Sequence, residues 1–137
     1  FGQHSGVIDE TKDFYELPRF PINEKYGELK RFNSLTKTLP FKYKNITPLE
    51  KYLIDDKNPP EVKIEFFENI QNLKSLNCYS NEGGKWGQSK INFTSANILK
   101  ISIEEKFVGE RGRINCSLRD QSGFWRWLGI QFVVGQK

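Results

Sequence analysis

After Pro59-Pro60 the chain changes its period. Before that point apolar residues recur irregularly between prolines. Beyond it they alternate with polar ones, as in Val62-Lys63-Ile64-Glu65-Phe66 and Ile114-Asn115-Cys116-Ser117-Leu118. Alternation turns one face of a strand toward a core and the other toward water. Six runs carry it, at 61–67, 73–80, 89–94, 98–104, 111–118 and 123–134, divided by turn-forming clusters such as Asn81-Glu82-Gly83-Gly84 and Asp120-Gln121-Ser122-Gly123. Six short strands at this spacing predict a mainly β protein, an immunoglobulin-like antiparallel β-sandwich over residues 61–137.

Both cysteines fall on this pattern. Leu76 and Cys78 share one face of a strand, and Ile114, Cys116 and Leu118 share one face of another, so both thiols point inward. They stand 38 positions apart, which suits a Cys78–Cys116 bridge between two sheets. Closing such a loop stabilises a fold by roughly 3–4 kcal/mol and implies an oxidising compartment. The alternative is two unpaired buried thiols in a cytosolic protein. With a single distant histidine, His4, they do not form a zinc ligand set.

In Gly123-Phe124-Trp125-Arg126-Trp127-Leu128 the indoles of Trp125 and Trp127 lie on one strand face, while Phe124, Leu128, Ile130 and Phe132 lie on the other. One set is expected to make core and the other to be exposed. Trp125 and Trp127, beside Arg126, are candidates to stack on sugar rings or unpaired bases, or to pack on the preceding segment. Trp86, in the Gly-rich Glu82–Gly87 stretch, is a candidate platform or a lid over the sandwich. Hydrophobic residues make up 36% of the 137 and charged residues 28%, enough for one packed domain and an extension. The net charge of +4 is scattered along the chain, which permits anionic partners without making nucleic acid the expected one. No stretch has the apolar length of a membrane helix.

The part before Pro59 is organised differently. It opens on Phe1, and the chain contains no methionine, so a piece of a longer protein is expected. Asn23 suits a helix N-cap, with Tyr26, Leu29 and Phe32 at helical spacing behind it. Residues 37–60 read as a linker, with one helical turn after Thr47-Pro48.

Phe1-Gly2-Gln3-His4-Ser5-Gly6-Val7-Ile8, followed by Tyr15-Glu16-Leu17-Pro18-Arg19-Phe20-Pro21, resembles the end of the catalytic domain in one bacterial branch of the polysaccharide deacetylase (NodB-homology) family. There a Gly-Gln-His-Ser-Gly strand and a Leu-Pro-Arg-Phe-Pro segment close a distorted β/α barrel. Asn58-Pro59-Pro60 and a terminal sandwich with two cysteines, one in Arg113-Ile114-Asn115-Cys116, are similar to the extension that follows in those proteins. The resemblance implies that residues 1–36 are a short α/β remnant of the barrel, that 37–60 link it to the sandwich, and that the parent removes acetyl groups from a polysaccharide. Its divalent metal, usually zinc held by one Asp and two His, lies upstream of Phe1, with no cofactor in this piece. His4 is implied to help protonate the leaving amine in the intact enzyme, and the piece alone is expected to be inactive. The implied partners are the polysaccharide and the missing catalytic domain, in the periplasm or outside the cell. The competing expectation is a free-standing module for carbohydrate or single-stranded nucleic acid, built on Trp125, Arg126 and Trp127.

Overall fold

Residues 38–68, 70 and 72–135 are described in the computed structural model. His4 and the expected remnant over 1–36 lie outside them. In chain order the strands are β1 (Leu39–Pro40), β2 (Asn45–Thr47), β3 (Tyr52–Leu53), β4 (Glu61–Glu65), β5 (Asn77–Ser80), β6 (Gly87–Gln88), β7 (Lys90–Phe93), β8 (Ile98–Ser102), β9 (Arg111–Arg119) and β10 (Trp125–Val134). Each of the six alternating runs contains one of the strands β4, β5 and β7–β10. The first part of the 73–80 run instead forms a 3-10 turn, Leu73–Ser75.

Two sheets result. The back sheet has the order β2-β4-β8-β7, and the front sheet β1-β10-β9-β5-β6, with β3 also on β10. These match the A-B-E-D and G-F-C sheets of an immunoglobulin-like sandwich, with β6 as an added C′ strand. Their inner faces meet in one core. Val62, Ile64, Leu99 and Ile101 come from the back sheet, and Ile114, Leu118, Leu128, Ile130 and Phe132 from the front, all buried. A fully buried side chain of this size contributes roughly 1.5–3 kcal/mol through removal from water.

The described part of 37–60, expected to be a linker, belongs to the sandwich. β1 pairs in parallel with the start of β10, β2 crosses to pair with β4, and β3 returns to the end of β10. Phe41, Ile46 and Leu53 are buried in the core. No helical turn follows Pro48. The chain there extends toward β10, and Lys51 O accepts the N–H of Val133 at 2.8 Å. Pro40 sits on an edge strand, where its missing N–H breaks no ladder.

Cys78 and Cys116 form the disulfide. It does not join the sheets, as the spacing had suggested. The two residues face each other across adjacent strands β5 and β9 of the front sheet, with Cα atoms 4.1 Å apart. The carbonyl of Cys78 turns away from β9 and accepts the Ser89 N–H at 2.8 Å. That marks a non-hydrogen-bonded pair, the position at which opposed side chains approach most closely. Alternation shows that both thiols point inward but says nothing about which strand lies next to which.

Two asparagines extend the backbone pairing. Buried Asn58 accepts the Phe107 N–H and donates to the Phe107 carbonyl, both at 2.9 Å, satisfying a loop backbone that no strand reaches. Phe107 in turn lies over Gly112, where a β-carbon would come within 2.4 Å of the ring.

Two stability predictions follow from these contacts. Replacing both cysteines by alanine is expected to lower unfolding free energy by roughly 3–4 kcal/mol in equilibrium denaturation, given the loop it closes; an unchanged midpoint and slope would show that the bridge contributes nothing. Asn58→Ala strands a buried N–H and a buried C=O and is expected to cost about 2–4 kcal/mol. A loss under half a kcal/mol would mean that water replaces the amide.

Candidate functional site

Strand β9 gives the front sheet two unlike faces. Gly112, Ile114, Cys116 and Leu118 point inward, and Arg111, Arg113, Asn115, Ser117 and Arg119 point outward. Cross-strand register extends the outer face in rows. Arg119 lies opposite Trp125, and Ser117 lies between Trp127 and Asn77. Asn115 lies between Gly129 and Tyr79, with Gln88 beyond. Arg113 faces Gln131, and Arg111 faces Val133, which pairs with Tyr52.

The face therefore carries aromatic rings among arginines and amides. Trp125 is 40% and Tyr79 46% exposed, while Trp127 is half-buried. Gly129 leaves the middle of β10 without a side chain. Arg113 Nε and Gln131 Oε1 are buried without a hydrogen-bond partner, although their residues are cross-strand neighbours.

The residues singled out from the sequence divide. Trp125 and Trp127 share this face. Arg126 does not join them, because it is one position out of phase. Its Nε donates to Asp120 Oδ2 at 3.2 Å, and its Nη1 donates to the Pro40 carbonyl at 3.3 Å. It lines a separate cleft of about 410 Å³ with Phe41, Ile70, Leu118 and Asp120. Trp86 is 52% exposed in the turn entering β6, and no hydrogen bond, ion pair or ring contact holds it among the described residues. His4 lies outside the described residues. Sequence reasoning passed over Tyr79, Arg111, Arg113, Arg119 and Gln131. The signal was there in Arg111-Gly112-Arg113-Ile114-Asn115, whose alternation puts both arginines opposite the core residues.

The Asp120 turn is held electrostatically. Desolvation lifts the Asp120 carboxyl, but the Phe124 N–H, donating to Oδ1 at 2.9 Å, and the Arg126 guanidinium outweigh it. The group sits below its ordinary value. Among the described residues no three His, Cys, Asp or Glu side chains gather as a metal-ion set, and no helix is long and apolar enough to cross a membrane.

No protein-family model matches this chain, and no curated protein matches it. Among solved structures it is similar to selenomethionine PcoC, a copper resistance protein from Escherichia coli. That similarity has 12% sequence identity and a TM-score of 0.47, covering 69% of this chain and 99% of that one.

Because the folded-state pKa of Asp120 lies below its unfolded value, its stabilising effect is fully present above the unfolded carboxylate range and is lost as pH falls through the folded value. The thermal midpoint of wild type is therefore expected to exceed that of Asp120→Asn at neutral pH, and the gap to close on acidification. A gap that stays constant down to the most acidic pH at which the protein folds would show that ionisation of Asp120 plays no part.

Proposed function

We propose that this chain is the terminal part of a secreted or periplasmic polysaccharide deacetylase, and that its sandwich contacts the polysaccharide through the outer face of the front sheet. The observation that carries the contact is the placement of Trp125, Trp127 and Tyr79 on one sheet face, among amides and guanidinium groups. Ring faces cover the apolar faces of sugars, and Asn, Gln and Arg side chains supply donors and acceptors for hydroxyl groups. The disulfide fits an extracytoplasmic site. The deacetylase assignment rests on the resemblance of residues 1–32 and of Arg113–Cys116 to that family. The described residues do not fit a catalytic metal, so no chemical step is assigned to the sandwich, and the acetyl-removing chemistry belongs to the parent's catalytic domain.

The same stacking face gives the competing reading, a free-standing module for carbohydrate or for single-stranded nucleic acid. Affinity electrophoresis of the full chain through gels containing glycol chitin, acetylated xylan or carboxymethyl-dextran separates these. Retardation by at least one polysaccharide is expected, weakened about three- to tenfold by Trp125→Ala and by Tyr79→Ala and unchanged by Trp86→Ala. Absence of retardation in every gel, with tight and steeply salt-dependent binding of an oligothymidylate, would replace the carbohydrate reading with the nucleic-acid one.

A further inference from the structure

The two outer faces of the sandwich differ in charge pattern. On the back sheet, outward Glu61, Glu65, Lys63, Lys90 and Lys100 mix both signs without an aromatic ring. Lys44 pairs with Glu65, and Lys90 with Glu104. It is an ordinary solvated surface. The front face carries Arg111, Arg113 and Arg119, and no Asp or Glu occupies an outward position of β3, β5, β6, β9 or β10.

Two of those arginines are also uncommitted among the described residues. Neither Arg111 nor Arg113 has a side-chain hydrogen bond or ion pair among the described residues, and Arg113 Nε is buried without a partner. Arg119 gives its Nε–H to the Gly123 carbonyl at 3.2 Å. Like charges along one strand repel, and a guanidinium half-withdrawn from water gains most from a facing anion. The three lie along a single extended strand, so the row from Arg111 to Arg119 runs about 27 Å at strand spacing. Trp125 lies on one side of it and Tyr79 on the other.

Building on the carbohydrate reading above, we propose that this row is a track for an acidic polysaccharide. Carboxylate or sulfate groups pair with the arginine forks, while intervening sugar faces lie against Trp125 and Tyr79. Charge complementarity selects this occupant. A neutral glycan would leave the arginines without a counter-charge, since among the described residues the strands of this face carry no outward Asp or Glu to balance them.

The test uses the full chain and a matched set of polymers, namely dextran, carboxymethyl-dextran and dextran sulfate. Affinity electrophoresis is expected to show retardation by an anionic derivative and not by dextran, with the two derivatives distinguishing carboxylate from sulfate. Arg111→Gln with Arg113→Gln is expected to weaken that binding about tenfold or more, as loss of charge-assisted hydrogen bonds implies. Lys63→Gln with Lys100→Gln, which removes the same charge from the back sheet, is expected to leave it within about twofold, since exposed charges away from the site act weakly. Unchanged near-ultraviolet circular dichroism checks folding, and Arg111→Lys with Arg113→Lys is expected to restore part of the affinity. Equal losses in the arginine and lysine variants would mean indiscriminate ion exchange and overturn the proposal. Loss in Trp125→Ala and Tyr79→Ala without loss in the arginine variants would overturn the acidic ligand and leave the carbohydrate face standing. Loss in the arginine variants alone would overturn both, as would failure of every polymer to bind or tighter binding of an oligothymidylate.

Discussion

The register of β9 is the constraint on which the rest of the front sheet depends. A shift of one residue would turn Ile114, Cys116 and Leu118 into water and drive Arg113, Asn115 and Ser117 into the core. Three devices hold it. On one side the Cys78–Cys116 bridge ties it to β5. On the other, β10 pairs with it along its whole length. Beyond the end of β5, Asn81 prolongs the ladder: its side chain accepts the Arg113 N–H at 2.7 Å and donates to the Arg111 carbonyl at 3.3 Å, and its own N–H reaches the Arg113 carbonyl at 3.2 Å. Core and outer face are thus fixed by one choice.

How far this was legible depends on what each residue's neighbours could disclose. The six alternating runs after Pro60 declare their inward sides, because period two needs no knowledge of partners. Partner identity is another matter. The cysteines were legible as inward-facing and as a pair, but a bridge within one sheet and a bridge between two need the same pattern. Residues 38–53 hid for a different reason. Their strands are only two or three residues long and interrupted by prolines, which resembles a linker. In the fold they are edge pieces that change sheet, where prolines are tolerated. Asn58 was invisible too, since an asparagine before two prolines reads as a turn, and its partner Phe107 is 49 positions away.

The candidate site shows the same division. Trp125 and Trp127 stood out because tryptophan is rare in this chain, whereas the arginines of β9 were lost among charges that looked scattered. In three dimensions they are sorted. Among the described residues, every outward acid of the strands lies on the back sheet, where it can meet lysine, and the only charged side chains outward on the front strands are arginines. The formal charge of +4 understates this polarity, because a net value sums over surfaces that never face the same partner.

A site built on paired strands has consequences that a site on loops does not. The stems of Arg111 and Arg113 are half-buried between cross-strand neighbours, so much of their rotamer freedom is already spent on folding and less is lost on binding. A row of side chains along one extended strand presents its contacts in a line. It fits the side of a long polymer better than a chain terminus. In the acidic-polysaccharide proposal this matters because each arginine–anion contact at a wet surface is weak alone. A track about 27 Å long makes several at once, and contacts made together on one rigid strand need no further ordering of the protein.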